Sequence, residues 1–195
     1  MKNLPKKVID NIENEINIMI KIRHDNIVRL HETIKTNNHI CLVMDFCKED
    51  LNKYIKHSGR LSEKQAKNFI TQISCGLHFL NKLNLIHRDL KPHNILICES
   101  GIVKIADFGF VKEYDPNNML NTLCGSPIYM APEILQHKKY DAKVDLWSLG
   151  VILFEMLTTE QPFKASNPIE LLKIIETTTF KIEKHIIISK DCHEL

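Results

Sequence analysis

The chain has 195 residues, of which 44% are hydrophobic and 26% are charged, and its formal net charge at pH 7 is +2. These values are typical of one globular domain, and a chain of this length buries roughly 70% of its unfolded surface. The small net charge predicts neither a nucleic-acid partner nor attachment to a membrane surface.

The N-terminal part carries the pattern of a helix followed by a β-hairpin. Between residues 8 and 22, apolar side chains recur at the spacing of one helix face, at Ile9, Ile12, Ile16, Met19 and Ile20. Two runs rich in apolar and β-branched residues follow, at 28–34 and 39–44. They are joined through Thr36-Asn37-Asn38, and asparagine tolerates the left-handed backbone of tight turns. We therefore predict one amphipathic helix and two paired strands.

A second, longer helix is predicted from a capping signal. Ser62 is followed three residues later by Gln65, which resembles a capping box. Apolar residues then continue on one helix face to about Lys82, at Phe69, Ile73, Leu77 and Leu80.

Two polar loops in the middle of the chain adjoin short apolar runs. His87-Arg88-Asp89-Leu90-Lys91-Pro92-His93-Asn94 precedes the run 95–97, and Asp107-Phe108-Gly109 follows the run 103–106. Each run predicts a short buried strand whose loop presents its side chains outward. An Asp, a Lys and an Asn at fixed offsets in such a loop suit phosphoryl transfer. That reaction needs a group that orients the attacking hydroxyl, a cation that offsets the charge developing on the phosphate, and oxygen ligands for Mg²⁺. A salt-bridged surface turn is the alternative interpretation of His87-Arg88-Asp89 taken alone.

The C-terminal part is predicted to be helical. Residues 144–157 are apolar with little charge, which is typical of a buried helix. Asn167-Pro168 indicates the start of another helix over 169–175, with Pro at its first position.

Four motifs in order resemble those of protein kinases. They are His87-Arg88-Asp89-Leu90 with Asn94, Asp107-Phe108-Gly109, Met130-Ala131-Pro132-Glu133, and Asp145-Leu146-Trp147-Ser148-Leu149-Gly150. The segments 105–110 and 121–129 are most similar to those of the autophagy-initiating, unc-51-like Ser/Thr kinases.

The resemblance implies roles for the two polar loops. Asp89 would accept the proton of the substrate hydroxyl, and Lys91 would contact the transferred phosphate. Asn94 and Asp107 would hold Mg²⁺, and Phe108 would set active and inactive states by its packing. Asp145 would anchor the backbone of the Asp89 loop rather than act chemically.

The resemblance also implies an ATP site beside the hairpin. The hinge would be Asp45-Phe46-Cys47, whose backbone would bind adenine, with Met44 as the gatekeeper and Leu96 on the opposite side. Glu15 falls where the family keeps the Glu of its Lys–Glu ion pair; a solvated helix Glu is the alternative.

Residues 107–133 correspond to the activation segment of the family. Thr122 is the candidate phosphosite, and its phosphate would pair with Arg88 and order the loop. An ordinary solvated loop threonine is the alternative. Ser126 matches the residue that supports Asp89 and Lys91, and with Lys91 it argues against tyrosine specificity.

The implied fold is α+β and two-lobed, with a residual N-lobe at 1–47 and a mainly helical C-lobe at 48–195. The chain has no G-x-G-x-x-G and no V-A-I-K. We therefore expect an N-lobe without the family's first three strands, and a C-lobe without its last helices and without the Arg that pairs with Glu133.

Three functional interpretations remain open at this point. The first is an ATP- and Mg²⁺-dependent kinase of protein Ser/Thr hydroxyls. The second is a pseudokinase-like module that binds a partner at its exposed first helix and hairpin. The third is a truncated gene product whose missing ends lie in neighbouring reading frames.

The cysteines predict the compartment. None of the six forms a C-x-x-C pair, and several lie in apolar strands or helices. With no secretory leader and no apolar run of roughly 18 residues or more, we expect a reducing intracellular compartment, no disulfides and no zinc.

Overall fold

A computed structural model describes residues 5–36, 39–115, 119–120, 122, 124–178, 182 and 186–194. In that part it contains seven α-helices and three small sheets. The helices are α1 (Lys6–Lys21), α2 (Leu51–Ser58), α3 (Glu63–Lys82), α4 (Pro132–Leu135), α5 (Lys143–Thr158), α6 (Pro168–Thr177) and α7 (Lys190–Glu194). The strands are β1 (Leu30–Lys35), β2 (Ile40–Met44), β3 (Glu49–Asp50), β4 (Leu85–Ile86), β5 (Ile95–Ile97), β6 (Val103–Ile105) and β7 (Lys112–Glu113).

The predicted first helix and hairpin are confirmed, with one boundary wrong. β1 and β2 pair antiparallel, but residues 28 and 29 do not belong to β1. The Val28 N–H instead donates to the Ile105 carbonyl at 2.9 Å, and Ile27 bridges Ile105 in parallel. The segment is therefore bound to β6 before the hairpin begins. Asn37 and Asn38 lie outside the described residues.

The capping box at Ser62 is confirmed. The Ser62 Oγ accepts from the Gln65 N–H at 3.3 Å, and the Gln65 Oε1 accepts from the Ser62 N–H at 3.1 Å. These bonds satisfy two donors that the first turn of α3 would otherwise leave unpaired. The buried face of α3 packs in the main core with the residues of β5, β6 and α5.

A three-stranded sheet in the order β3-β5-β6 lies next to the hairpin. β3 and α2 were not predicted, because β3 has only two residues and carries no periodic pattern. Asp50 ends β3 and caps α2, since its Oδ1 accepts from the Lys53 N–H at 2.9 Å. The end of β3 is thereby tied directly to the start of α2.

Helices α5 and α6 form where the sequence predicts them. α5 is buried over most of its surface, as its low charge indicated, and leaves a narrower exposed face at Leu146 and Gly150. α6 starts with Pro168 in its first turn. Asn167 caps it, since the Asn167 Oδ1 accepts from the Glu170 N–H at 2.9 Å. Trp147 on α5 stacks on Phe163 with ring centroids 6.1 Å apart.

Within the described residues, no helix is both long and apolar enough to cross a bilayer.

Glu155 on α5 is a buried carboxylic acid that accepts from the Tyr129 hydroxyl at 2.8 Å. Burial raises the pKa of Glu155, although the Tyr129 hydrogen bond and the charges of His93 and Lys56 oppose the shift. A raised carboxyl pKa means that folding favours the neutral acid, so stability is lost as the pH rises through the folded-state pKa.

Glu155→Gln is therefore expected to raise the melting temperature at pH 8 by a few degrees, with the gain shrinking towards pH 4. The glutamine carbonyl still accepts from Tyr129 and carries no charge. Thermal unfolding from pH 4 to pH 8 measures the difference. Glu113→Gln, at an exposed position of β7, controls for the loss of one charge. A gain that shrinks as the pH rises would contradict the prediction.

Candidate active site

The loop that carries Asp89 is held by a buried carboxylate on α5. The Asp145 Oδ2 accepts from the His87 N–H at 2.8 Å, and the Asp145 Oδ1 accepts from the Arg88 N–H at 2.9 Å. Arg88 has a positive φ of 68°, and these bonds offset the cost of that conformation. Burial raises the pKa of Asp145, against the opposing effects of His87 and of the two backbone N–H groups. The predicted anchoring role of Asp145 is confirmed.

The same loop is bonded to the Asp107 loop. The His87 ring is fully buried, donates from Nε2 to the Ala106 carbonyl at 3.1 Å, and meets Phe108 edge-on with centroids 5.7 Å apart. The Ala106 N–H donates to the Asn94 carbonyl at 2.9 Å. The two polar loops are therefore held side by side.

Four donors converge on the carboxylate of Asp89, which is 3% exposed. Its Oδ2 accepts from the Lys91 Nζ at 2.7 Å and from the Asn94 Nδ2 at 3.2 Å. Its Oδ1 accepts from the Ser126 N–H at 2.9 Å and from the Ser126 Oγ at 3.0 Å. The Lys91 Nζ also donates to the Ser126 Oγ at 3.0 Å. Asp89, Lys91, Asn94 and Ser126 thus form one charged, hydrogen-bonded cluster, hereafter the Asp89 cluster.

Asp107 presents an exposed carboxylate beside this cluster. Its backbone has a positive φ of 65°, and its Oδ1 accepts from the Gly109 N–H at 3.3 Å. Glu15 on α1 faces it: burial, and then the negative charge of Asp107, raise the pKa of Glu15. A carboxyl whose pKa is raised by a neighbouring carboxylate marks a position that favours a cation.

The segment 45–47 is ordered by a network around Asp45. Its Oδ2 accepts from the Arg29 N–H at 3.1 Å and pairs with the Lys104 Nζ at 2.9 Å, and its Oδ1 lies 2.8 Å from the His31 Nε2. Burial alone would raise the pKa of Asp45, but the bonds from Lys104, Arg29 and His31 hold it below its usual range. The carboxylate therefore fastens this segment to β1 and β6.

Arg88 does not contact the Thr122 side chain. Its Nε donates to the Phe110 carbonyl at 2.7 Å, and its Nη1 donates to the Tyr140 hydroxyl at 3.3 Å. The Tyr140 hydroxyl in turn donates to the Thr122 carbonyl at 2.8 Å. Thr122 is exposed, and one tyrosine separates it from Arg88.

Comparison with known proteins gives the family. The protein kinase domain model matches residues 1–195. The chain is 44% identical over 201 residues to serine/threonine-protein kinase ATG1a of Arabidopsis thaliana, which covers 100% of this chain and 32% of that protein. It is 41% identical over 196 residues to serine/threonine-protein kinase atg1 of Dictyostelium discoideum, covering 97% of this chain and 29% of the relative.

The chain belongs to the protein kinase family. It spans about a third or less of the length of these relatives. The observed fold, with its small sheets and predominance of helices, is a partial protein-kinase fold.

The kinase residues predicted to hold Mg²⁺ have a suitable donor set. The Asn94 Nδ2 donates to both the Asp89 carbonyl, at 2.9 Å, and the Asp89 Oδ2, which leaves the Asn94 Oδ1 as an available ligand. The exposed Asp107 offers a carboxylate from the adjoining loop. In the described residues no group of three or more His, Cys, Asp or Glu could hold a metal alone. Mg²⁺ is commonly bound by one or two carboxylates plus phosphate oxygens and water, so the residues fit it.

The predicted hinge, Asp45-Phe46-Cys47, has backbone groups that fit an adenine edge. In the described residues, no backbone hydrogen bond uses the Asp45 carbonyl or the Cys47 N–H, so one acceptor and one donor are available. Leu96 on β5 is half-buried, whereas the Met44 side chain is 43% exposed. The structure therefore places Met44 at the surface of the described part.

Two contributors to the site were missed from the sequence. Tyr140 joins Arg88 to the Thr122 segment, but it lies in no motif. Lys104 neutralises Asp45, yet a single lysine inside a strand pattern gives no signal of a partner nearly sixty positions away. Only the structure shows that Lys104 is half-buried in β6 between two buried residues.

Proposed function

We propose that this kinase chain transfers the γ-phosphate of ATP to Ser or Thr hydroxyls of protein substrates, with Mg²⁺. The observation that carries the proposal is the Asp89 cluster, in which one buried carboxylate is bonded to a lysine, a serine and an asparagine. A salt-bridged surface turn does not need a 3% exposed Asp with four donors. Both relatives are named serine/threonine-protein kinases, which supports the same activity.

Each member of the cluster has a task in this reaction. Asp89 orients the substrate hydroxyl and receives its proton, because its Oδ atoms are fixed by bonds from two sides. The Lys91 ammonium lies where negative charge develops on the transferred group. Bound Mg²⁺–ATP would supply the phosphoryl group and neutralise its charge through Asn94 and Asp107. Ser126 fixes the positions of Asp89 and Lys91 relative to each other through its bonds to both.

The regulatory assignments belong to the same proposal. A phosphate on Thr122 would compete with the Phe110 carbonyl and Tyr140 for Arg88, since a charged phosphate is the stronger acceptor. Phe108 packs against His87, so a change in its packing would move the Asp89 loop. Glu15 would need a cation to offset its repulsion from Asp107.

The domain organisation and partners are proposed as follows. Residues 1–47 act as the residual N-lobe and 48–195 as the C-lobe, with ATP between Met44–Cys47 and Leu96. A polypeptide partner covers α1 and the hairpin, where Ile20 is 56% exposed and Ile34 is 45% exposed. We place the protein in a reducing intracellular compartment, on the basis of its free cysteines.

The test is phosphate transfer from γ-labelled ATP by the purified chain to mixed peptides. Label is expected on Ser and Thr peptides and not on Tyr peptides, and chelation of Mg²⁺ is expected to abolish it. Identification of the labelled residue by mass spectrometry checks the acceptor. Label on tyrosine, or transfer that continues without a divalent metal, would contradict the proposal.

A further inference from the structure

The thiols of Cys47 and Cys98 are in contact although 51 positions separate them in the chain. Cys47 ends the hinge, and Cys98 directly follows β5. Their Sγ atoms lie 2.9 Å apart, in a thiol-to-thiol hydrogen bond. Both residues are half-buried, and both are free thiols.

The backbone on each side fixes this contact. The Lys48 N–H donates to the Ile97 carbonyl at 2.9 Å, and the Cys98 N–H donates to the Ile102 carbonyl at 2.9 Å. The ladder pairs Glu49 with Ile97, so Cys98 follows opposite Lys48, and Cys47 is its diagonal neighbour one residue further along. The two Sγ atoms already lie 2.9 Å apart, and an S–S bond is about 2.05 Å long, so a bridge needs only a small further approach of the sulfurs.

We propose that Cys47 and Cys98 form a redox modification site, which hydrogen peroxide oxidises to a reversible disulfide between the hinge and β5. In the first step the Cys98 sulfur attacks one peroxide oxygen, which gives a sulfenic acid and one water. In the second step the Cys47 sulfur attacks the sulfenic sulfur, and the S–S bond forms as a second water leaves. Two thiols lose two electrons and two protons, and the peroxide is reduced to two waters.

The assignment of the two steps follows from the surroundings of Cys47. Burial, and then the hydrogen bond to Cys98, raise the pKa of Cys47, which disfavours its thiolate and makes it the poorer first nucleophile. Its sulfur already touches Cys98, which suits it to the second step. Rapid closure of the bond protects the sulfenic acid from further oxidation.

The disulfide would fasten the hinge to the strand that carries Leu96. A bridge that closes a long loop restricts the unfolded chain more than the folded one. In a domain of this size, that restriction is expected to raise the melting temperature by about 5–15 °C. The oxidation does not depend on the proposed kinase activity, so either can fail without the other.

The experiment is oxidation of the folded chain with hydrogen peroxide, followed by peptide mapping without reductant. The expected product has lost two hydrogens and contains one cross-linked peptide pair, Cys47 with Cys98. Its melting temperature is expected to rise by about 5–15 °C and to return to the starting value after dithiothreitol.

Cys47→Ser removes one thiol, and Cys41→Ser, at an exposed position of β2, is the matched control. The cross-link and the thermal shift are expected to disappear in Cys47→Ser and to persist in Cys41→Ser. Scattered pairings, sulfinic acids on separate cysteines, or a lower melting temperature in the cross-linked chain would each overturn the proposal. Oxidation of the same chain in urea serves as the unfolded control. It shows which cysteine pairs form when the fold does not hold Cys47 against Cys98.

Discussion

Asp89→Asn is expected to lower phosphate transfer by about 10²–10⁴-fold, the usual contribution of a positioned general base. The amide cannot receive the hydroxyl proton. Its NH₂ group would also face the donors that now bind the Asp89 carboxylate, whichever way the amide is oriented. Lys91, whose side chain is 23% exposed, would also lose the carboxylate 2.7 Å from its Nζ. The measurement is initial rate of labelled phosphate transfer at saturating ATP and Mg²⁺.

Asp25→Asn provides the matched control for this variant. Asp25 is exposed in the turn before Ile27, and surface changes of this kind alter free energies by about 0.5 kcal/mol or less. Its rate is therefore expected to stay within about twofold of the unchanged chain. Thermal unfolding of both variants separates a chemical defect from misfolding. If Asp89→Asn remains folded and keeps more than a tenth of the rate, Asp89 is not the base.

The fold could be predicted where its determinants are local. The Ser62 capping box, the Asn167 cap and the apolar stretch of α5 each lie within one element, and each formed as predicted. The strands β3, β4 and β7 have two residues each and exist only through pairing with distant segments. Val28 was assigned to the wrong partner for the same reason, because its backbone bond is to Ile105.

The candidate site shows the same division. The motifs predicted Asp89, Lys91, Asn94, Asp107 and Ser126 as candidate site residues, since their spacing is a property of the sequence, and the structure brings Asp89, Lys91, Asn94 and Ser126 together. The supports of these residues could not be identified in this way, because Tyr140 and Lys104 act across long stretches of chain and lie in no motif. The contact of Cys47 with Cys98 likewise depends on strand register, which a cysteine count does not reveal.

The structure links the Asp89 cluster to the segment around Gly125 through backbone as well as side chains. Ser126 contributes both its N–H and its Oγ to Asp89, so the residue before it must approach the Asp89 loop closely. Gly125 has a φ of 101°, and a Cβ built on it would lie 2.4 Å from the Arg88 carbonyl oxygen. Only glycine allows this approach without moving one of the two backbones.

Gly125→Ala is therefore expected to reduce both stability and activity strongly. The positive φ costs about 1–2 kcal/mol for a residue with a Cβ, and the clash adds about 1–3 kcal/mol of overpacking. Relief of the clash would displace Ser126 from Asp89. Small misplacements of catalytic groups lower rates on the order of 10²-fold. We therefore expect the rate of phosphate transfer to fall at least tenfold. Urea unfolding and the transfer assay measure the two effects.

Gly101→Ala isolates the contribution of the clash. Gly101 also has a positive φ, of 78°, but a Cβ there would meet nothing within 4 Å. Its variant should lose only the conformational cost of about 1–2 kcal/mol and should keep its transfer rate, because Gly101 lies in the turn before β6 and away from Asp89. The difference between the two free energies of unfolding is then the cost of pressing a Cβ at position 125 against the Arg88 carbonyl. Equal losses of stability, with activity retained in both, would show that the close approach at Gly125 does not position Ser126.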